Sequence, residues 1–319
     1  MLAAVASVTV PIFAVIALGF AAVRSRYVDA GMVRALGGFV LRIAMPALIF
    51  GALAGAPLGD TLRPGYIAGY GAASLAVFGF GYLWARRARG AEGAAAAMQA
   101  LGMACTNSGF MGYPIAALVI GPTATVVLAN NLLVENFLII PGALVLAELG
   151  RTTGRGPAAA AARVASGLAR NPLVIAIAAG SLVAALGLPL PGWIDRPVAL
   201  VGGVAAPLAL FVIGGTVAGL PRGTLPAGTA RVVAGKLVLH PLAVLGALLL
   251  APGVDPLLLA TGLLFAAMPM ITIYPIIGAQ FGEERACAAA LLAATVASSA
   301  TVPLVLVALE TAGLVALQP

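Results

Sequence analysis

Ten apolar stretches, each about as long as a bilayer is thick, divide this chain and limit its fold more than any other feature. They run over residues 4–23, 33–55, 64–85, 94–118, 124–147, 171–188, 197–219, 228–250, 256–280 and 286–309, with short Gly-, Pro- and Arg-bearing links between them. About 20 apolar residues in helical form cross the hydrocarbon core. Lipid offers backbone N–H and C=O groups no partners, so each stretch must satisfy its own, and stretches this long do so as helices rather than barrel strands. Composition closes the soluble alternative. The chain is 62% hydrophobic and 8% charged, where soluble domains carry about a quarter charged residues. The expected fold class is an all-α polytopic membrane protein.

The net charge of +7 comes from sixteen Arg and one Lys against ten acids. Because the arginines sit in short links, they read as a topology signal rather than a nucleic-acid surface. Odd-numbered links hold Arg24, Arg26, Arg34, Arg86, Arg87, Arg89, Arg151, Arg155, Arg163, Arg170, Arg222 and Arg285; even-numbered links hold Arg63 and Arg196. Odd links are therefore expected in the cytoplasm and both termini outside, in a bacterial inner membrane. The first stretch has no basic start before Arg24, and it reads as a retained helix rather than a signal peptide. Cys105 and Cys287 lie in apolar stretches at no metal-ligand spacing and read as small packing residues.

The chain matches itself. Pro11 and Pro172 lie 161 residues apart, as do Gly19 and Gly180, Pro46 and Pro207, Phe50 and Phe211, Gly121 and Gly282. The same offset pairs Tyr113-Pro114-Ile115 with Tyr274-Pro275-Ile276. Residues 1–148 and 171–319 thus read as two five-helix repeats joined by a cytoplasmic linker over 149–170. Five is odd, so the second copy enters the membrane inverted, an arrangement typical of secondary transporters.

Helix four carries Asn107-Ser108-Gly109-Phe110-Met111-Gly112-Tyr113-Pro114 at its middle, and helix nine carries Met268-Pro269-Met270-Ile271-Thr272-Ile273-Tyr274-Pro275. Pro removes a backbone donor and Gly weakens a helix. Matched clusters at mid-membrane predict two broken helices that cross, with freed backbone groups open to a ligand.

The ionisable groups well inside the apolar stretches are Glu135 and Lys236, with His240 one turn beyond Lys236. A buried charge is expensive in a bilayer and marks a polar interior. Asn130, Asn131 and Asn136 make one face of helix five polar. Glu135 reads as a coupling carboxylate, with Asn131 beside it, alternating between charged and neutral forms, or as a partner of Lys236. Lys236 reads three ways: a substrate contact, a neutraliser of helix C-termini, or a side chain that snorkels. His240 and Arg42 read as packed and snorkelling residues. Thr295, Ser298, Ser299 and Thr301 read as hydroxyls bonded to their own helix.

Three motifs carry a resemblance over nearly the whole chain: Leu41-Arg42-Ile43-Ala44-Met45-Pro46-Ala47-Leu48, Asn107 to Pro114, and Asn171-Pro172-Leu173-Val174. In this order they resemble the auxin efflux carrier family, which includes bacterial permeases for malonate and malate. The resemblance implies ten helices in a fold related to sodium–proton antiporters and bile-acid symporters, with crossed broken helices four and nine. It also implies a homodimer through the panel helices. The short 149–170 linker departs from plant auxin carriers and speaks against auxin as substrate.

No phosphate loop, metal-ligand cluster or nucleophile–base spacing suggests an enzyme. The expected function is a secondary active carrier of a small organic carboxylate such as malonate or malate. It would work by elevator-like alternating access without a cofactor, driven by H+ or Na+. Substrate contacts are expected from Asn107, Ser108, Tyr113, Pro114, Thr272, Tyr274, Pro275 and Lys236, and ion coupling from Glu135 and Asn131. The alternatives are an uncoupled facilitator or channel and an aromatic carboxylate efflux carrier. Lipid and the anion are the expected partners, with no nucleic acid.

Overall fold

The computed structural model describes residues 2–150, 166–167, 169–219 and 225–315. Most of the 149–170 linker, with Arg151, Arg155 and Arg163, and also Arg222, falls outside them. Among the described residues there is no strand, only an isolated bridge between Thr106 and Met270.

The helices are α1 (Leu2–Arg24), α2 (Ala30–Ala54), α3 (Pro64–Arg89), α4 (Gly93–Ala104), α5 (Ser108–Val119) and α6 (Thr123–Leu149). After the linker come α7 (Pro172–Ala185), α8 (Gly192–Gly219), α9 (Thr229–Leu250), α10 (Pro256–Ala266), α11 (Tyr274–Ala279) and α12 (Glu284–Thr311). Among the described residues α2, α3, α6, α8, α9 and α12 are long and apolar enough to cross a membrane. The apolar part of α1, with α5, α7 and α10, is shorter. The apolar stretch expected from residue 197 begins instead at Gly192, so Asp195 and Arg196 belong to a helix and not to a link.

Four helices widen at one place each. Five-residue π turns span Val40–Ala44 in α2, Ser108–Gly112 in α5, Glu135–Ile139 in α6 and Gly235–Leu239 in α9. Each is followed, one residue on, by a proline: Pro46, Pro114, Pro141 and Pro241. Proline lacks an N–H, and its ring collides with the carbonyl four residues back. Widening the turn relieves that clash. The residue before each proline then bonds five residues back: Met45 to Val40, Tyr113 to Ser108, Ile140 to Glu135 and His240 to Gly235. Such π turns gather at functional sites.

Two helix pairs pack through glycine. α1 lies on α8, and α7 lies on α2. A Cβ on Gly19 would overlap the Phe211 carbonyl, and one on Gly214 would overlap that of Ile16. A Cβ on Gly180 would stand 3.0 Å from the Phe50 carbonyl and 2.9 Å from Leu53 Cβ. Small residues let membrane helices approach this closely, which is where their packing energy comes from. The other helices form a second group, with α3 against α4 and α9, α4 against α6, and α12 against α9 and α11. The groups meet where α8 touches α5 and α2 touches α6.

α7 is started by Asn171, whose Oδ1 accepts from Leu173 N at 3.0 Å while Pro172 fills the first helical position. A side-chain cap of this kind stabilises a helix by about 1 kcal/mol. Asn171→Ala is expected to lower stability in detergent by at least that amount, since it also removes the Nδ2 bond to Asn136, with Asn171→Asp recovering the cap alone. Equal unfolding midpoints for all three proteins would remove the capping argument.

Candidate functional site

α4 ends at Ala104 and the chain runs extended through Cys105 before α5 begins. α10 ends at Ala266, and α11 does not begin until Tyr274. Between these ends the two unwound segments lie against each other. Asn107 N donates to Pro269 O at 2.9 Å, beside the Thr106–Met270 bridge. Backbone groups freed by one break are thus satisfied partly by the other, as a membrane interior requires. The side chains repeat the link, with Asn107 Nδ2 donating to Thr272 Oγ1 at 2.9 Å.

A cavity of about 320 Å³ opens beside this junction, where the two helix groups meet. Its polar lining comes from Arg42 on α2, Asn107 and Thr272 at the breaks, Glu135 and Asn136 on α6, and Asn171 at the start of α7. The volume lies at the small end of the ligand-pocket range. Glu135 is buried yet well bonded. Ser108 Oγ donates to its Oε1 at 2.6 Å. The carboxylate thereby fixes the start of α5, just past the first break. Asn171 Nδ2 donates to Asn136 Oδ1 at 3.0 Å, which ties α7 to α6 at the cavity wall.

Of the residues expected at a site, Asn107, Ser108, Thr272 and Glu135 line this cavity together. The others lie elsewhere. Tyr113 does not line the cavity, and Tyr274 Oη donates to Met98 O at 2.7 Å, tying its half-helix to α4. Pro114 and Pro275 are buried at the starts of those half-helices and do not reach the cavity. Asn131 accepts from Tyr66 Oη at 2.8 Å and also lies off the cavity. Its Nδ2 is buried without a partner among the described residues, and an amide N–H is the wrong group to face a cation.

Lys236 occupies another place again. It is fully buried, so it does not snorkel, and it makes no ion pair with Glu135 among the described residues. Its Nζ donates to Ala266 O at 2.7 Å and stands 3.0 Å from His240 Nδ1. Ala266 closes α10, so the amino group sits on the negative end of that half-helix. With Nδ1 accepting from Lys236, the tautomer that satisfies His240 carries its proton on Nε2, 3.0 Å from Ser74 Oγ. Tyr70 meets the His240 ring edge-on at 5.7 Å and donates its hydroxyl to Thr106 Oγ1 at 3.1 Å. A buried polar chain thus joins the end of α10 to the first break. On α12, Thr295, Ser298 and Ser299 bond carbonyls of their own helix, as expected, whereas Thr301 Oγ1 is buried without a partner among the described residues.

Sequence reasoning passed over Arg42, Asn136 and Asn171 as site residues. Arg42 supplies the cationic side chain of the cavity, and Lys236 does not. A usable signal was present. Arg42, Ser108, Glu135 and Lys236 each fall within a π turn, four to six residues ahead of a proline. A polar residue at that spacing ahead of a proline inside an apolar stretch marks the turn.

Comparison with known proteins adds two findings. Residues 4–306 match the family described as "Membrane transport protein". A protein of Rhizobium meliloti (strain 1021), described as "Putative malonate transporter", is 32% identical over 309 residues, which cover 94% of each chain.

Proposed function

This chain belongs to the membrane transport protein family, the auxin efflux carrier-like group, and from that premise we propose that it is a secondary active carrier of a small organic carboxylate. A C3 or C4 diacid such as malonate or malate is the substrate class. One observation carries the reading. A cavity of about 320 Å³ between two helix breaks brings Arg42, Asn107 and Thr272 onto one surface, with Glu135 in its wall. Arg and Asn donate to a carboxylate, and Arg does so in a planar fork matched to it. The description of the Rhizobium meliloti relative agrees with that class.

Glu135 is the proposed site of the coupling ion, H+ or Na+. A carboxylate that accepts from Ser108 Oγ holds it more strongly when charged than when neutralised. That makes the geometry of the first break depend on the ion. The elevator-like reading takes α1, α2, α7 and α8 as the fixed panel and the helices around the breaks as the moving bundle.

Two inverted repeats, residues 1–148 and 171–319 flanking the linker, and ten membrane passages complete the reading. Their support is local. Gly19 meets Phe211 while Gly180 meets Phe50, and these two contacts interchange under the 161-residue offset. Gly121 at φ 84° and Gly282 at φ 79° are also offset mates, each a left-handed turn after a half-helix. Both termini would lie on the periplasmic side of a bacterial inner membrane, with homodimer contacts through the panel.

The test is uptake of labelled malonate and malate into proteoliposomes under an imposed proton or sodium gradient. Saturable, gradient-stimulated uptake is expected. Arg42→Gln should raise KM about tenfold, the effect of losing ~1.5 kcal/mol of charged hydrogen bonding. Glu135→Gln should retain binding and lose the gradient response. Uptake by the parent that ignores both gradients would make the protein a facilitator and Glu135 a structural residue.

A further inference from the structure

A second cavity, about 430 Å³, lies away from the breaks and opens to the outside of the bundle between α3, α4 and α9. We propose that it seats an acyl chain of an anionic phospholipid, whose phosphate is held by Arg231 and Arg87. The groove exists because its floor is small. Gly81 and Gly235 let Met103 of α4 lie flat between α3 and α9, and its side chain with the two glycines forms that floor. Its rims are apolar and unpartnered: Phe80 and Trp84 are each 48% exposed, Val238 53% and Leu242 60%. In a chain that spans a bilayer, such a surface faces hydrocarbon, and apolar walls of this size exclude water. Phe80 and Trp84 stand with ring centroids 5.6 Å apart and form one continuous wall.

The headgroup assignment rests on charge. Arg231, half-buried in the first turn of α9, closes one end of the groove beside Gln99. It has no ion-pair partner among the described residues. Its guanidinium lies over Gly228, where a Cβ would come within 2.9 Å of it. Phe80, Trp84 and Arg87 are spaced four and three residues apart, on one face of α3. Arg87 therefore tops the same wall, and Trp84 lies below it as interfacial Trp residues do. Two arginines over an apolar slot favour an anionic headgroup over a zwitterionic one.

Native mass spectrometry of the purified protein in detergent, titrated with phosphatidylglycerol or phosphatidylcholine, tests this. The parent is expected to hold phosphatidylglycerol in preference to phosphatidylcholine. Arg231→Gln should cut that preference about fivefold, the worth of one arginine near a membrane surface. Ala234→Trp, which places a large ring in the groove from an exposed position, should lose the tightest adduct of both lipids. If that variant is not monodisperse, Val238→Trp fills the same space. No headgroup preference in the parent, an unchanged preference in Arg231→Gln, or an adduct that survives the filled groove would each overturn the proposal. So would a parent dimer that Ala234→Trp dissociates, because the face would then belong to a second copy.

Discussion

Asn107→Ala is expected to lower kcat/KM for carboxylate uptake about a hundredfold while leaving the protein folded. Asn107 has two tasks. Its Nδ2 bonds Thr272 Oγ1 across the breaks, and its side chain lines the cavity where the carboxylate would lie. Loss of a hydrogen bond to a charged ligand costs up to ~3 kcal/mol, or about a hundredfold. Its backbone bonds to Pro269, Met111 and Gly112 survive truncation of the side chain, so the break itself should hold. Thr272→Ala separates the two tasks. It removes the side-chain link between breaks and a neutral hydroxyl from the cavity wall, but no donor amide, and should reduce uptake about fivefold, the worth of ~1 kcal/mol. Equal damage from both variants would mean that Asn107 acts by positioning Thr272 and does not touch the substrate.

The second large effect is on stability. Lys236→Met should lower the unfolding free energy in detergent by about 3 kcal/mol. The substitution keeps the length of the side chain, so little cavity forms, and the loss is electrostatic. Ala266 O loses its charged donor, and His240 Nδ1 loses a partner at 3.0 Å, both fully buried. A buried carbonyl at the end of a half-helix has no water to turn to. Ser74→Ala, at the far end of the same chain of contacts, removes only the His240 Nε2 partner and should cost less. Thermal unfolding without substrate measures all of this. A Lys236→Met protein as stable as the parent but inactive in uptake would return Lys236 to the transport machinery and refute its assignment to the end of α10.

Much of this architecture was legible in the residues. The Gly and Pro cluster around Asn107 and the two prolines Pro269 and Pro275 located both breaks, because those residue types act on their own backbone wherever they stand. The apolar stretches gave helix positions to within a few residues, except at Gly192, where Asp195 and Arg196 disguised the start of α8 as a link. What sequence did not give was direction around the helix axis. Arg42 and Lys236 stand at similar positions in the apolar stretches 33–55 and 228–250, yet one reaches the cavity and the other is sealed against Ala266. Depth follows from counting residues along a stretch. The face a side chain presents depends on helical phase, which the π turns shift. Asn171 was missed for another reason. As a cap it belongs to a helix end, and its approach to Asn136 depends on the packing of α7 against the other group.

Those turns also bear on how the gene can change. A π turn holds one residue more than the α turn it replaces, and one residue is worth about 100° of rotation. Deleting a single codon from Val40–Ala44, Ser108–Gly112, Glu135–Ile139 or Gly235–Leu239 would let that stretch close as ordinary helix. Everything beyond it would then be turned by more than a quarter of a revolution. In α6 that would swing the segment after Ile139, with Ala143 and Ala147, out of the core. Point substitutions on the lipid-facing surface are cheap in this chain. One-residue losses at these four places are not, although they remove no more atoms than a surface deletion would.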